Sequence, residues 1–320
     1  MIPRAVLPAP FVSSSFLAKL IDLPKSDVPL SPLTPLSPTT PPIISSFRTR
    51  VMGILNLTPD SFSDGGLHTA DLSSLQSTLE KAISASISIL DIGGQSTRPH
   101  SPQVSAEEEL SRILPAIKSI RSQPTFNNIA ISVDTYRSSV AAAAIAARAN
   151  IINDVSAGQL DPDMLATVAK LGCTVVLMHM RGTPDTMTSL TSYPNGVING
   201  VATELLERVA AAEKAGIRRW RIILDPGIGF AKNQAQNLEL LRRFGELRDW
   251  EGLRGLPWVV GASRKGFIGK ITGVKEASER AWGTAAAVTA AVKGGAEVVR
   301  VHDVEEMGQV AKMADAIWRV

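Results

Sequence analysis

The sequence predicts an α/β fold in which eight parallel strands alternate with helices and close into a barrel. Three observations carry this. From about residue 49 onward, short β-branched strands alternate with alanine-rich helical stretches. No two strands are joined by a hairpin turn, which makes the sheet parallel. No G-x-G-x-x-G follows the first strand, where a doubly wound open sheet would carry its dinucleotide fingerprint.

In order, the strands fall at residues 51–55, 88–92, 130–133, 151–153, 174–178, 221–224, 258–261 and 297–301. Helices are expected over 72–86, 106–121, 138–149, 163–171, 201–215, 237–247, 276–293 and 305–318. Eight βα units in about 270 residues have the size of a TIM (β/α)8 barrel. At 320 residues and 44% hydrophobic, the chain can bury such a core.

Residues 1–48 read as an extension and 49–320 as the barrel. Half of the twenty prolines lie in the first fifty residues, and PLSPLTPLSPTTPP, residues 29–42, reads as an extended Ser/Thr/Pro linker. Residues 11–21 could form a short amphipathic helix, since Val12, Phe16 and Leu20 share a face. A Ser-rich start with Arg4 and Lys19 also suits an organelle-targeting segment, although the early prolines and Asp22 oppose that.

The formal charge of +3 resides entirely before residue 51, in Arg4, Lys19, Lys25, Arg48 and Arg50 against Asp22 and Asp27. The balanced remainder leaves no nucleic-acid footprint. Cys173, the only cysteine, lies in an apolar run, so an internal disulfide is impossible and a reducing compartment is expected. No apolar run approaches the roughly 18 residues a membrane span requires. A soluble protein is expected.

In such barrels the active site forms at the carboxyl ends of the strands. The first strand runs straight into a polar, proline-broken loop, MGILNLTPDSFSDG, and polar groups follow the other strands too. Asp134, Asn153 and Asp225 end strands with apolar flanks (IAISVD, IIND, RIILD), which places them deep in the mouth. Buried carboxylates need donors, so the site should hold internal cations or bind something rich in N–H groups. Lys265 is the expected internal partner, with a purely structural salt bridge as the alternative.

A second, cationic group comprises Ser263-Arg264-Lys265 after strand seven and Arg300-Val-His302 at strand eight, where many barrels bind phosphate. Arg300 and His302 alternate with Val301 and so point the same way. They suit an anion, the alternative being a capped strand end. The histidines show no zinc spacing, so a metal here would be Mg²⁺ held by oxygen atoms, substrate phosphates and water. The loops 56–66 and 93–102 carry paired glycines, Gly65-Gly66 and Gly93-Gly94, and read as lids.

MGILNLTPDSFSDGG, DIGGQSTRP, SVDT, INDVSAG, LMHMRGTP, LDPGIGFAK, GASRKGFIG and VRVHDV occur in that order across residues 51–320. Together they resemble the blocks of the dihydropteroate synthase family. The resemblance implies a transferase of folate biosynthesis that condenses 6-hydroxymethyl-7,8-dihydropterin pyrophosphate with p-aminobenzoate. It implies a pterin site of Asp134, Asn153, Met178, Asp225, Phe230 and Lys265, with Asp134, Asn153, Asp225 and Lys265 as the catalytic set. Asn56, Thr97, Arg300 and His302 are implied for the pyrophosphate, with Asn56 also holding Mg²⁺. The implied aminobenzoate pocket comprises Phe62, Asp64, Thr97, Arg98 and Gly266.

Two positions depart from the family pattern: Gln95 where many relatives have Glu, and Gly266 where many have Ser. The second removes a hydroxyl that could contact the aminobenzoate, leaving that contact to backbone N–H groups at the start of 265–270. A homodimer, sulfonamide sensitivity and fusion to upstream folate-pathway modules are family expectations, with residues 1–48 a linker or remnant. The cytoplasm is the expected location and the mitochondrion the alternative. A pterin-binding methyltransferase would share the deep Asp/Asn/Asp site but have no use for Arg300, His302 and the lids. A catalytically silent pterin-binding module would bind without turnover.

Overall fold

The structure is a computed structural model and describes residues 48–57, 79–80, 87–95 and 103–319. The Pro-rich tract, most of the helix expected over 72–86, and Phe62, Asp64, Thr97 and Arg98 lie outside the described residues.

The eight expected strands are present as β1 (Arg50–Asn56), β2 (Ile89–Gly93), β3 (Ala130–Asp134), β4 (Ile151–Asp154), β5 (Thr174–Met178), β6 (Ile222–Asp225), β7 (Val259–Val260) and β8 (Val298–Val301). They pair in parallel in the order β6-β5-β4-β3-β2-β1-β8-β7. A single bridge between Leu224 and Trp258 joins the two ends, with the Leu224 N–H donating to the Pro257 carbonyl at 2.9 Å. The sheet is therefore an almost closed barrel.

Period-two alternation sorts each strand into an inward and an outward row. Inward, Met52, Ile89, Ala130, Ile151, Val176, Ile223, Val259 and Val298, one from each strand, form a separate apolar cluster that plugs the barrel. Outward, residues such as Val51, Leu90, Ile131, Ile152, Val175 and Val299 join the helices in the main core. Being buried on both faces explains why the strands read as continuous apolar runs.

The helices are α1 (Ala106–Arg121), α2 (Ser138–Ala146), α3 (Met164–Leu171), α4 (Val197–Lys214), α5 (Gln234–Arg242), α6 (Phe244–Arg248), α7 (Gly266–Thr272), α8 (Ala281–Lys293) and α9 (Val304–Trp318). Ser105 caps α1, accepting the Glu108 N–H at 3.2 Å, and Asn233 with Gln236 forms a capping box on α5. Thr49 clasps the Asp315 carboxylate of α9 through its N–H and hydroxyl, at 2.7 and 2.6 Å, tying the start of the first strand to the last helix.

Four of the expected helices differ in their bounds. Helix α2 stops at Ala146 because Arg148 takes a left-handed φ of 75°. Helix α4 starts a turn early, at Val197, since Val197 and Ile198 are buried in the core. The stretch 237–247 divides at Arg243, which lets Phe244 meet Trp258 edge-on at 5.5 Å. The stretch 276–293 divides into a 3₁₀ turn and α8. Helix α7 was not expected, because Gly266 and Gly269 give the segment poor helix propensity.

Candidate active site

One pleat above the apolar plug, toward the carboxyl ends, the inward rows change character. There stand Asp91, Ser132, Asn153, Met178, Asp225, Gly261 and Arg300, and one pleat further Asn56, Gly93, Asp134, Ser263 and His302. The same alternation that seals the barrel floor thus builds a polar mouth on top of it.

Arg300 lies at the centre. Its Nε donates to Asp91 Oδ2 at 2.6 Å and its Nη2 to Asp134 Oδ2 at 2.7 Å. Asn153 Nδ2 donates to the same Asp91 oxygen at 3.1 Å. The cation hydrogen-bonded to these carboxylates is therefore Arg300, where Lys265 was expected. Lys265 instead donates to the Ile228 carbonyl, and its Nζ sits 4.3 Å from the centre of the Phe230 ring. Asp225 Oδ1 accepts the Gly227 N–H at 2.7 Å.

His302, although it alternates with Arg300, makes different contacts: its backbone N–H donates to Ser263 Oγ at 3.2 Å and its Nδ1 lies 3.1 Å from that hydroxyl. A Cβ on Gly93 would stand 3.5 Å from Asn56 Oδ1 and 3.6 Å from Asp134 Cβ, so Asn56 and Asp134 flank the same backbone. Met178 is buried with Met180 and Ala231, and Phe230 packs against that cluster. Gly266 opens α7, and a Cβ there would meet nothing within 4 Å. Arg264 takes a φ of 60°, held by the Asp303 carboxylate and by Thr284 Oγ1, which accepts its N–H at 3.1 Å. Strain of this kind is common where a loop presents functional groups.

Burial pushes the Asp134 carboxyl up to about 7; Arg300 opposes the shift while Asp91, Glu109 and Asp154 add to it. Burial likewise raises Asp225, against the pull of Lys265 and the Gly227 N–H. It lowers Lys265 to about 8, helped by Arg300 and opposed by Asp225 and Asp134. For Arg300 burial works against the charge, but the Asp91, Asp134 and Asp225 carboxylates outweigh it and keep the guanidinium protonated. Acids raised and a base lowered within one cleft mark a functional site.

Even so, the mouth is not self-sufficient. Asp91 Oδ1, Asp134 Oδ1 and Ser132 Oγ are buried without a hydrogen-bond partner among the described residues. Buried acceptors of this kind are costly until a ligand supplies donors.

Asp91 did not stand out as a site residue in the sequence, although a lone acid in the apolar run ILDIG was a usable signal. Lys232 and Glu204 were also overlooked, and His179 was noted only as one of the polar groups that follow the strands. His179 Nε2 lies 3.0 Å from Glu204 Oε2, and its Nδ1 lies 2.9 Å from Lys232 Nζ. Nothing local marks Lys232, in GFAKN, as a buried residue. Gln95, a departure from the family pattern, accepts from Arg137 Nη1 at 3.0 Å beside the buried Glu109 carboxylate, which also pairs with Arg137.

Residues 52–302 match the family profile described as pterin binding enzyme. The chain is 51% identical over 271 residues to the folic acid synthesis protein fol1 of Pneumocystis carinii, covering 85% of this chain and 36% of that protein. It therefore spans about a third of the fungal relative's length. To the dihydropteroate synthase of Synechocystis it is 46% identical over 275 residues, covering 85% of this chain and 91% of that one. A structure of Xanthomonas albilineans dihydropteroate synthase in complex with 7,8-dihydropteroate superimposes with a TM-score of 0.74 at 39% identity, over 87% of this chain and 96% of that one. Another, of the same bacterial enzyme with 4-aminobenzoic acid, gives 0.76 at 40% identity, over 85% and 94%. The chain belongs to the pterin-binding enzyme family, among the dihydropteroate synthases.

Proposed function

We propose that the chain condenses 6-hydroxymethyl-7,8-dihydropterin pyrophosphate with p-aminobenzoate to give 7,8-dihydropteroate and pyrophosphate. The observation that carries this reading is the pair of buried oxygens Asp91 Oδ1 and Asp134 Oδ1, which have no partner among the described residues, in a mouth that also presents Asn153 and Asp225. A pterin edge offers ring N–H and amino donors beside a carbonyl. Asp134, Asn153 and Asp225 accept or exchange hydrogen bonds with it, Lys265 donates to its oxygen side, and Met178 and Phe230 wall the ring.

In the reaction, the C–O bond to the pyrophosphate breaks and its electron pair leaves with that group. The methylene cation left behind is delocalised into the dihydropterin, and the Asp225 carboxylate stabilises it. The arylamine, neutral at pH 7, attacks with its lone pair, forms the C–N bond and releases a proton to solvent or to the departing pyrophosphate. No strong base is required, so positioning and electrostatics supply the catalysis.

Asn56, Thr97, Arg300 and His302 would bind the pyrophosphate. Mg²⁺ would be held at this rim by the Asn56 amide oxygen together with phosphate and water oxygens, as suits an ion that keeps much of its water. When bound, Mg²⁺ neutralises charge on the leaving pyrophosphate. Phe62, Asp64, Thr97, Arg98 and Gly266 would form the aminobenzoate pocket and keep water from the cation.

Among the described residues no helix is long and apolar enough to cross a membrane. We propose a cytoplasmic enzyme; a pea relative is a mitochondrial folate synthesis bifunctional protein. Fusion to upstream folate-pathway modules is in keeping with the length of the fungal relatives. For a homodimer, the exposed Ile271 and Trp282 of α7 and α8 offer apolar surface, and light scattering tests it. The reaction is tested by Mg²⁺-dependent formation of dihydropteroate from the pterin pyrophosphate and labelled p-aminobenzoate. Binding of pterin without product would reduce the chain to a silent pterin-binding module.

A further inference from the structure

The loop after β6, residues 227–232, supplies two of the site's parts: the Phe230 ring and the Ile228 carbonyl that receives Lys265. Its backbone winds through the left-handed region at Gly227, Gly229 and Ala231, with φ of 66°, 82° and 49°. A Cβ on Gly227 would fall 1.9 Å from the His179 carbonyl oxygen, and one on Gly229 would fall 2.7 Å from Lys265 Cδ. Such a winding turns successive carbonyls in different directions, and each needs a donor of its own.

Lys232 supplies two of those donors. Its buried Nζ donates to the Gly227 carbonyl at 3.1 Å and to the Phe230 carbonyl at 2.9 Å. The third partner is His179 Nδ1 at 2.9 Å. Burial and the Lys232 charge hold His179 down to about 4, so the ring is neutral at pH 7. The Glu204 carboxylate can only accept, so it takes the Nε2–H and leaves Nδ1 as the acceptor that Lys232 needs. Arg181 in turn holds Glu204, with Nε 3.0 Å from both carboxylate oxygens. Burial lowers Lys232 well below the ordinary lysine range, with Asp225 opposing; its Nζ has a partner in each of three directions, and the chain of contacts runs from helix α4 to the loop that carries Phe230.

We propose that Lys232 is a positioning residue for pterin recognition: by gathering the Gly227 and Phe230 carbonyls it sets the loop that aims Phe230 and Lys265 at the pterin. Without it, the Phe230 carbonyl loses this donor and the Gly227 carbonyl keeps only the Phe230 N–H, so the segment that carries Phe230 is held by fewer contacts. The role rests on the reaction proposed above, and it is specific to the pterin half of that reaction.

The test uses the full chain. Dihydropteroate formation by the unaltered protein checks the reaction itself; its absence overturns that reading before Lys232 is in question. In active protein, Lys232→Met is expected to raise the dissociation constant of the pterin pyrophosphate about tenfold or more. KM for p-aminobenzoate, measured at saturating pterin substrate, should stay within about twofold, and the loss should combine less than additively with that of Phe230→Leu. If Lys232→Met does not fold, Lys232→Gln, which keeps two N–H donors on a shorter side chain, is measured in the same way and should show a smaller loss that is again confined to the pterin substrate. Equal losses for both substrates, unchanged pterin affinity, or additive losses in the double variant would overturn the assignment.

Discussion

Asp91, Asp134, Asn153 and Arg300 reach the barrel mouth directly from strands β2, β3, β4 and β8, whereas Phe230, Lys232 and Lys265 reach it from the loops after β6 and β7. The strand-borne half is placed by the pleat and braced by charge: one guanidinium spans two carboxylates. The loop-borne half is placed by hydrogen bonds to backbone carbonyls and by left-handed residues, Arg264 among them. Damage to the first half should therefore be felt as misplaced charge, with strong pH dependence, and damage to the second as misplaced geometry.

The largest effect is expected where the halves meet, at Asp225, a strand residue whose carboxylate also pins the Gly227 N–H. Asp225→Asn should cut kcat about a hundredfold to a thousandfold, the usual scale for removing a charge aimed at the transition state. Steady-state assays of dihydropteroate formation measure it, and a loss confined to KM would assign Asp225 to binding alone.

Removing the strand-side brace comes next. Arg300→Met leaves Asp91 and Asp134 buried without their cation, which costs about 3–5 kcal/mol of stability at pH 8. The sign of its pH dependence follows from Asp134. Its folded pKa is already raised, to about 7 with Arg300 in place, and goes higher without it. A carboxyl raised in the fold contributes its stability at low pH, where it is protonated, and loses it as pH rises through the folded value. Urea unfolding should thus find the variant much closer to the parent at pH 5 than at pH 8. An equal deficit at both would show that packing, and not charge, is what Arg300 supplies.

The two halves also set opposite limbs of one binding profile. Acceptance of pterin donors by Asp134 requires its carboxylate, which forms as pH rises through about 7. Donation by Lys265 requires its ammonium, which is lost as pH rises through about 8. Pterin affinity, followed calorimetrically, should peak in that window and fall toward about tenfold per pH unit on either side. Asp134→Asn should flatten the acid limb and Lys265→Met the alkaline one; a flat profile in the parent would separate both groups from pterin binding.

The smallest effect is expected at Gly266, where a side chain has open space. Gly266→Ser should change stability by no more than about 0.5 kcal/mol. KM for p-aminobenzoate should fall about threefold, the scale of one added hydrogen bond. An unchanged KM would place Gly266 outside the aminobenzoate pocket.

Much of this was legible in the chain because strand patterning is local. Eight apolar runs separated by crossovers announced the barrel, and Asp134, Asn153 and Asp225 betrayed themselves as polar ends of apolar strands. Asp91 carried the same signal in weaker form, a single acid inside ILDIG. Helix breaks at Arg148 and Arg243 were not legible, because a left-handed residue in one case and the demand for Phe244 against Trp258 in the other are set by neighbours in space. Lys232 was illegible for the same reason: a lysine at the end of a loop, just before a helix cap, reads as exposed until the acceptors around it are known.

By itself, then, the sequence determined the number of strands and placed Asp134, Asn153 and Asp225 at the polar ends of apolar ones, since both signals are local to a strand. Only the tertiary structure decided who pairs with whom. Arg300 stands 209 residues from Asp91 and 166 from Asp134 along the chain, and they meet because β1 lies between β8 and β2 as the sheet curls. Barrel closure and register bring such groups within hydrogen-bonding reach. Neither is written in a local pattern, because both are settled by how all eight strands pack at once.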